Sequence, residues 1–450
     1  MRRVPAGVRR ICMCISREGS PVSQQAAAAR HIHSEKDVAK HLVPVVLGAD
    51  ILGYSYVRCF HEAYGMNSIV LASADVKATS SSRFVDYRVV DGIDQEDALI
   101  AYLSELGMQL DAQDQVGILL GSGDWYARIL SQHKPELMQW FVVPYIDFDL
   151  LDEITQKERF YALCEKLEIP YPKTRTYDCA NPNARIDTSE FAYPCIVKPS
   201  NSARYHYAEF AGKKKIFEVE TPEELERIFA ALQASSYDRE LIVQEFVPGD
   251  DDALRSITLF ADQNGDVRVS AMGRVVLQDH APSAIGNPVC IVGERDERAI
   301  EDAARFLKHV GYHGFANFDC KLDPRDGSYK FFEVNTRPGR NSYYLTLAGV
   351  NFVTLFVKDY VLGQVIPVQK ANKPFVYACI PPIVVRKTVK DAALREQILN
   401  MYHQGLAKFP LDYAADSLRH QFWALITYYH QVAKFKKYVW DTGGKQAAAD

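Results

Sequence analysis

The amino-acid sequence contains no long apolar run and no excess of positive charge. Among its 450 residues, the longest apolar segment, residues 350–368, is interrupted by Lys358 and Asp359, so none reaches the roughly 18 uncharged residues of a membrane-spanning helix. The formal net charge of −5 disfavours a general nucleic-acid binder, which is expected to be basic. Because hydrophobic residues make up 48% and charged residues 24%, we expect a soluble globular protein of roughly two to four domains.

Cysteine pairs are also missing. The nine cysteines are scattered, and Cys12 and Cys14 form the only close pair. An odd number without paired spacing argues against a secreted disulfide framework and against a zinc site. We predict that the cysteines are small core hydrophobes in a reducing compartment, which indicates the cytoplasm.

Three common nucleotide-binding signatures are absent as well. Gly48 and Gly53 follow an apolar run, as a phosphate loop would, but they lack the G-x-G-x-x-G spacing of a dinucleotide-binding enzyme. The chain contains neither a G-x-x-x-x-G-K-[ST] phosphate loop nor the protein-kinase catalytic set. The sequence therefore disfavours a nicotinamide dehydrogenase, a P-loop protein and a protein kinase.

Residues 1–40 differ in charge from the rest of the chain. They carry eight Arg or Lys residues against three acids. Such a segment is similar to an organelle transit peptide, but we favour a disordered basic tail or a start codon placed too far upstream. Folded sequence is expected to begin near His41.

Residues 41–150 alternate between apolar runs and helical patterns. Strands are predicted at 43–47, 68–73, 116–120 and 142–146, with a helix that ends at Gly65. Strands that alternate with helices predict a Rossmann-like parallel α/β domain. Its ligand crevice is expected at the carboxyl ends of the strands.

Two later strands end in residues that suit a nucleotide. Lys198 closes the buried strand at 193–199, where an ammonium needs an anionic partner, and the polar loop 200–203 offers N–H groups to a phosphate. The strand at 241–249 runs into the acids of 250–252, which suit adenine and ribose hydroxyls. A snorkelling lysine and a plain acidic turn are the alternatives.

The most informative segment is a predicted hairpin at 314–341. If Asp323 pairs with Tyr329, then Asp319 lies opposite Glu333, and Asn335 shares their face of the sheet. Directly opposed carboxylates destabilise a sheet, so this pair predicts a cation between them. The donors are hard oxygens that suit Mg²⁺, and a solvated acidic hairpin is the alternative.

Arginines follow this hairpin directly. Arg337 and Arg340 leave the second strand beside the predicted metal site, where a guanidinium binds carboxylate or phosphate and stabilises charge in phosphoryl transfer. Together the motifs predict a nucleotide–Mg²⁺ phosphoryl-transfer site.

The order of these motifs resembles the ATP-grasp superfamily of carboxylate–amine ligases over residues 43–365. The resemblance rests on the lysines of Thr155-Gln-Lys157 and Pro194-Cys-Ile-Val-Lys198, on Val243-Gln-Glu-Phe-Val-Pro-Gly249, on Asp319 and on Phe332-Glu333-Val-Asn335-Thr-Arg337. Within the superfamily, residues 60–65, 145–147 and 336–342 are most similar to the D-aspartate ligase branch. That branch joins aspartate to a lysine side chain of the wall precursor in the peptidoglycan cross-bridge.

The resemblance implies a role for each matching position. For ATP, it implies that Lys157 and Lys198 bind the phosphates, that Gln244, Glu245 and Val247 bind adenine, and that Asp251 (or Asp250) binds ribose. For the metal, it implies that Asp319, Glu333 and Asn335 bind Mg²⁺. For the reaction, it implies that Arg337 and Arg274 contact the transferring phosphoryl group and that Arg340, Asn341 and Ser342 bind the acid substrate. It implies that ATP phosphorylates a carboxylate and that an amine attacks the acyl phosphate. A nucleotide-binding regulatory or scaffold protein without turnover is the alternative function.

The resemblance also implies a domain order. A Rossmann-like domain at 41–150 precedes an ATP-grasp domain at 151–365, whose lid subdomain covers about 175–245. Many relatives have a glycine-rich phosphate lid, whereas residues 200–207 contain no glycine. The extension 366–450 lies beyond the resemblance. Its final helical stretch, 422–440, is expected to pack on its own domain or to contact a membrane surface or an anionic precursor.

Overall fold

The computed structural model describes residues 32–200, 205, 208–214, 216–282 and 284–441. The predicted basic tail up to residue 31 lies outside the described residues, as do Cys12 and Cys14. Helix α1 (Glu35–His41) is capped by the Ser34 side chain, which accepts from the Asp37 N–H, and it buries Val38. The fold therefore begins before His41, because an apolar side chain of this short helix joins the core.

The first sheet is parallel, and its strand order is β3-β2-β1-β4-β5. Its strands are β1 (Leu42–Leu47), β2 (Ser68–Ala72), β3 (Val85–Val89), β4 (Val116–Gly121) and β5 (Phe141–Val142). Its helices are α2 (Ile51–Tyr64), α3 (Lys77–Ser80), α4 (Glu96–Asp111), α5 (Asp124–Gln132) and α6 (Lys134–Leu137). The predicted parallel sheet is confirmed, but β5 is shorter than predicted because Pro144 has no N–H for the ladder.

The loop after β1 requires glycine at its first position. Gly48 has a φ of +96°, and a Cβ there would lie 2.1 Å from Ser122 Oγ. The Asp50 side chain then caps α2 by accepting from the N–H groups of Leu52 and Gly53. This close approach brings the loops after β1 and β4 together at the carboxyl edge of the sheet.

A small antiparallel sheet follows in the order β6-β9-β7-β8. Its strands are β6 (Thr174–Asp178), β7 (Cys195–Pro199), β8 (Phe217–Val219) and β9 (Glu240–Glu245). The accompanying helices are α7 (Phe148–Thr155), α8 (Lys157–Lys166) and α9 (Pro222–Gln233). Lys157 begins a helix, and Lys198 lies at the end of a buried strand, as predicted.

The largest sheet runs in the order β14-β13-β10-β11-β12-β16-β17, and β15 pairs with β11. Its strands are β10 (Leu254–Ala261), β11 (Val267–Gln278), β12 (Pro288–Glu294), β13 (Gly314–Leu322), β14 (Tyr329–Asn335), β15 (Gln369–Lys370), β16 (Val376–Ala378) and β17 (Ala407–Lys408). The remaining helices are α10 (Glu297–Val310), α11 (Tyr343–Leu347), α12 (Val353–Phe356), α13 (Pro382–Thr388), α14 (Ala392–His403) and α15 (Leu418–Phe435).

The C-terminal segment after residue 365 is built into this sheet. Strand β16 pairs with β12, and Phe409 and Phe435 belong to the same apolar core as β1. The strand predicted at 375–385 is wrong beyond Ala378, because Pro381 and Pro382 start α13 instead. In the described ranges, no helix is both long enough and apolar enough to cross a membrane.

Candidate active site

In the hairpin of β13 and β14, Asp319, Glu333 and Asn335 share one face of the sheet, as the sequence predicts. The register of the two strands near the turn differs from the predicted one. Near the turn, Tyr329 pairs with Leu322 rather than with Asp323. An irregularity between Asp319 and Cys320 shifts the register by one residue, so Asp319 lies opposite Glu333. A β-bulge that adds one residue to β14 therefore restores the predicted pairing.

The acids and amides of this hairpin form one cluster. Asn335 Nδ2 donates to Asp319 Oδ2 over 3.1 Å, and Asn317 Nδ2 lies 3.4 Å from Asp319 Oδ1. Ser256 and Thr258 of β10 donate their hydroxyls to Asn317 Oδ1 over 3.0 and 2.9 Å. Since both hydroxyls fix the Asn317 amide, its NH₂ group is turned towards Asp319.

The electrostatics of the cluster fit a bound cation. Burial, and then the negative charge of Glu333, raise the pKa of the Asp319 carboxyl well above its usual range. Among the described residues, no group of three or more His, Cys, Asp or Glu side chains could hold a metal ion. Two carboxylates and an amide oxygen nevertheless suit Mg²⁺, which keeps water and phosphate oxygens among its ligands.

Two lysines face this cluster. Lys157 Nζ lies 3.7 Å from Glu333 Oε2, and Lys198 Nζ donates to Gln244 Oε1 over 3.2 Å. Burial, and then the positive charge of Lys157, lower the pKa of the Lys198 ammonium to about 7. Two ammonium groups held close together beside the acid–amide cluster form a site for an anion such as a phosphate chain.

The strand edge predicted to bind adenine has free backbone groups at its end. Gln244 is buried, and its Nε2 donates to the Tyr161 hydroxyl over 2.7 Å. The N–H of Glu245 is used, since it donates to Lys173 O over 2.8 Å, and its carboxylate pairs with Arg325. Within the described chain, the backbone of Val247 makes no hydrogen bond, so its N–H and C=O remain open to a ligand.

The predicted ribose acids are already engaged. Asp251 accepts from the backbone and side chain of Gln278 and lies 3.0 Å from His280 Nε2. Burial opposes its ionisation, but these hydrogen bonds outweigh burial and hold its pKa below the usual value. Asp250 pairs with Lys390. Both oxygens of Asp251 therefore already take part in contacts within the chain.

Arg274 lies away from the acid–amide cluster. Cross-strand pairing puts Arg274 in a row with Arg255 and Cys320. Since neighbouring residues of a strand point to opposite faces, this row lies on the other face of the sheet from Asp319. The Arg274 guanidinium is held by Asp252 over 2.8 Å, so the predicted contact with the transferring phosphoryl group is not supported.

Two arginines connect the hairpin to the first sheet. Arg337 Nε lies 2.8 Å from Asp124 Oδ1, and its Nη2 donates to Asp124 Oδ2 over 2.8 Å. Arg340 Nε lies 3.4 Å from Asp50 Oδ2. Both acids stand at the carboxyl edge of the parallel sheet, so the crevice predicted there meets the loop after β14.

The two residues after Arg340 are buried. Asn341 Nδ2 donates to Ser256 Oγ over 3.0 Å, so Asn341 joins the polar chain that ends at Asp319. Ser342 is fully buried, and its hydroxyl has no hydrogen-bond partner among the described residues. Arg340, one of the three residues predicted to face the acid, lines a cavity at the carboxyl edge of the parallel sheet.

Sequence reasoning missed three residues of this site. Asp50 and Asp124 hold the two arginines, and the Tyr161 hydroxyl binds both Gln244 and the carbonyl of Phe332. The acids carried a detectable signal, because Asp50 lies in a glycine-containing loop directly after a buried parallel strand and Asp124 directly follows another such loop. Tyr161 carried none, since its contacts are distant in sequence. Most of the predicted phosphate lid, 201–204 and 206–207, lies outside the described residues.

Known proteins are similar to this chain in sequence and in fold. Residues 156–358 match the family model described as the carbamoyl-phosphate synthase L chain, ATP binding domain. The D-aspartate ligase of Enterococcus faecium (strain Aus0004) is 34% identical over 414 residues, which cover 89% of this chain and 97% of that protein. This similarity extends into the C-terminal segment.

Solved structures share the fold at low identity. The L-amino acid ligase from Bacillus licheniformis has a TM-score of 0.51 at 13% identity. The match covers 71% of this chain and 74% of the ligase chain. The biotin carboxylase domain of Hydrogenobacter thermophilus 2-oxoglutarate carboxylase, in complex with MgADP, ADP and bicarbonate, has a TM-score of 0.53 at 13% identity. It covers 74% of this chain and 73% of its own.

Proposed function

The chain belongs to the ATP-grasp carboxylate–amine ligases, which use ATP with Mg²⁺ to form C–N bonds, and from this premise we propose that it activates D-aspartate. The observation that carries the proposal is the 34% identity with a D-aspartate ligase over 97% of that protein. The acid–amide cluster and the two facing lysines supply the chemistry that such a reaction needs.

The ATP contacts follow from the cluster. Lys157 and Lys198 hold the phosphates. Burial and the neighbouring Lys157 charge lower the pKa of Lys198, so an anion beside it would stabilise its ammonium form. Gln244 and the backbone of Val247 hold adenine. Asp319, Glu333 and Asn335 hold Mg²⁺, which when bound neutralises phosphate charge.

The chain's own residues position the substrates and neutralise charge, and none of them forms a covalent bond with the reacting groups. The substrate carboxylate attacks the γ-phosphorus, its bond to ADP breaks, and an acyl phosphate forms. The acceptor amine then attacks the acyl carbon, phosphate leaves with the bonding pair, and the amine nitrogen loses a proton. Arg337, oriented by Asp124, stabilises the charge of the transferring group.

The acid is recognised by the loop after β14. Arg340 binds its carboxylate, which a guanidinium can do in a bidentate way. Asn341 is buried beneath this loop and positions it by donating a hydrogen bond to the Ser256 hydroxyl. Ser342 has a buried hydroxyl that lacks a described partner, and we assign it to the same subsite.

We further propose that the amine belongs to a cell-wall precursor and that the reaction takes place in the cytoplasm. The similarity to a D-aspartate ligase supports the acceptor. The seven described cysteines are all buried and free, which supports a reducing compartment.

We also propose that the solvent-exposed side of helix α15 lies on an anionic membrane surface. Its inner side is packed, with His420, Ala424 and Phe435 buried. Its outer side exposes an apolar stripe of Leu418, Phe422, Leu425, Ile426 and Tyr429. Exposed cations accompany this stripe at Arg419, Lys436 and Lys437, and this combination is typical of helices that lie in a membrane interface.

ADP formation tests the proposed function. We expect the purified chain to release ADP from MgATP only when D-aspartate is present, and other amino acids to be poorer acids. Glu333→Gln should lower this turnover by about 10²-fold or more, because removing one charge from the metal cluster weakens stabilisation in the transition state. The exposed Glu301→Gln on α10 is the matched control and should leave the rate unchanged.

The result also separates the alternatives. If no acid stimulates ADP formation, the chain is a nucleotide-binding protein without turnover. If Glu333→Gln is as active as the control and as dependent on Mg²⁺, the metal assignment is wrong.

A further inference from the structure

A cavity of about 620 Å³ lies at the carboxyl edge of the parallel sheet. The loops after β1, β2 and β4 form one wall, and Arg340 forms part of a second. The third wall comes from the C-terminal segment, through Phe409, Leu411, Thr427 and Gln431. The segment beyond the ATP-grasp resemblance therefore encloses a space that the rest of the molecule leaves open.

This cavity adjoins the reacting centre. Gly123 lines it, and the next residue, Asp124, holds Arg337. Asp50 also lines it, and its Oδ2 lies 3.4 Å from Arg340 Nε. A molecule in the cavity would thus lie against the same loop that carries both arginines.

The size of the cavity exceeds what a single small acid requires. Pockets of 300–1,000 Å³ suit drug-sized ligands, and about 620 Å³ falls in that range. Its walls are mainly apolar, with Ile51, Val76 and Leu411 among them. Such walls fit an aliphatic chain better than an amino acid with charges at both ends.

One residue that lines this cavity, Gln431, has a buried polar atom without a hydrogen-bond partner among the described residues. Its Oε1 is buried and accepts no hydrogen bond from any described residue. Gln431 lies one helical turn after Thr427 on α15, so both side chains face the cavity. Leaving a buried acceptor unsatisfied costs about 1–3 kcal/mol. A rotation of the half-buried Gln431 side chain that brings Oε1 to an N–H donor of a ligand in the cavity would remove this penalty.

We propose that this cavity is the binding site of the amine acceptor and that Gln431, on the C-terminal helix, is a specificity-determining residue that accepts a hydrogen bond from an N–H of that acceptor. The apolar walls take the aliphatic part of the acceptor. The inference rests on the proposed ligase function and extends it to the C-terminal segment.

Two amines of different size test the proposal. Hydroxylamine traps an acyl phosphate as a hydroxamate and is too small to need the cavity, whereas Nα-acetyl-L-lysine methylamide carries a primary amine on an aliphatic chain. For Gln431→Leu, we expect the KM for the lysine derivative to rise about three- to tenfold, the effect of one lost hydrogen bond. The hydroxamate rate and the KM values for ATP and D-aspartate should stay unchanged.

Thermal stability provides a second readout. If Gln431 had a purely structural role, its replacement would lower the unfolding midpoint. Because Gln431→Leu removes an unsatisfied buried acceptor, its midpoint of thermal unfolding should equal or exceed that of the wild type. The matched control is Gln397→Leu on α14, where the glutamine is exposed. Thr427→Phe, which fills the cavity from α15, should stop ligation to the lysine derivative while hydroxamate still forms.

Each contrary result is specific. An unchanged KM in Gln431→Leu together with normal ligation in Thr427→Phe overturns the inference while the ligase function stands. A lower unfolding midpoint with all KM values raised makes Gln431 a structural residue and overturns it too. Wild-type protein that forms hydroxamate but does not ligate the lysine derivative also overturns the inference. No hydroxamate at all overturns the proposed function itself.

Discussion

Asp359 shows how a single buried carboxyl can set the pH dependence of stability. It is buried on the turn of helix after α12, where its Oδ2 accepts from the Gln263 N–H over 3.1 Å. Burial, and then the negative charge of Asp262, raise its pKa to about 7. The unfolded chain loses this proton near pH 4, so the folded state loses stability as the pH rises from about 4 to about 7.

Asp359→Asn is therefore expected to stabilise the protein at pH 8 by on the order of 2 kcal/mol and to have little effect at pH 4. The amide stays neutral, and its oxygen still accepts from Gln263. Urea unfolding at both pH values measures the effect, with the exposed Asp91→Asn as the control. Equal stabilisation at both pH values would show that the carboxyl charge is not the cause.

A chain of hydroxyl and amide groups positions the proposed metal cluster. Asn341 donates to Ser256, Ser256 donates to Asn317, and the Asn317 amide is turned towards Asp319. The loop that we assign to the acid substrate is thus connected by side chains alone to Asp319, which we assign to Mg²⁺. Such buried polar chains keep one geometry because every member needs its partner.

At the scale of elements, α15 has two different faces. Its inner face packs on α3 and lines the cavity, and its outer face leaves Leu418 83% exposed. Helices that only pack on their own domain bury their apolar residues, so the outer stripe needs a further explanation. The proposed membrane contact supplies one.

Co-sedimentation with vesicles tests this contact. We expect the protein to pellet with vesicles that contain phosphatidylglycerol but not with pure phosphatidylcholine, and salt should release it, since the attraction is partly electrostatic. Phe422→Glu should reduce binding several-fold, because it places a negative charge in the stripe.

The control for that experiment is Val365→Glu, which changes an equally apolar residue that is 85% exposed outside α15. If both variants bind vesicles like the wild type, α15 is not the contact. Binding to neither vesicle by the wild type would also exclude it.

The whole molecule is joined through its C-terminal segment. Strand β16 extends the largest sheet beside β12, and one apolar core includes residues of β1, β11, β12 and α15. The folded catalytic part and the C-terminal segment therefore share buried surface, which favours cooperative unfolding.

We expect the C-terminal segment to unfold together with the largest sheet. The chain has four tryptophans, and in Trp125→Phe/Trp140→Phe the remaining two, Trp423 and Trp440, report on the C-terminal segment. Their fluorescence and the far-UV circular dichroism should give the same thermal midpoint. A fluorescence midpoint lower by more than about 5 °C would show that the segment separates first. The dichroism midpoint of the wild type controls for the substitutions.

The local patterns of the sequence determined much of the site. Alternation along β13 and β14 was enough to place Asp319, Glu333 and Asn335 on one face, since the side-chain period of a strand is two. Lys198 at the end of a buried strand and Lys157 at a helix start followed from apolar runs of a few residues. Even the unforeseen bulge left that face intact.

Only the tertiary structure decided which charges meet. The engagement of Asp251 by Gln278 and His280, and the placement of Arg274 on the opposite face, depend on pairings between distant strands. The contacts of Arg337 and Arg340 with acids of the first sheet also cross more than two hundred residues. Sequence by itself determined the periodic arrangement within elements, because backbone geometry repeats locally. The cavity and its C-terminal wall were decided by packing, since only folding brings α15 against the carboxyl edge of the parallel sheet.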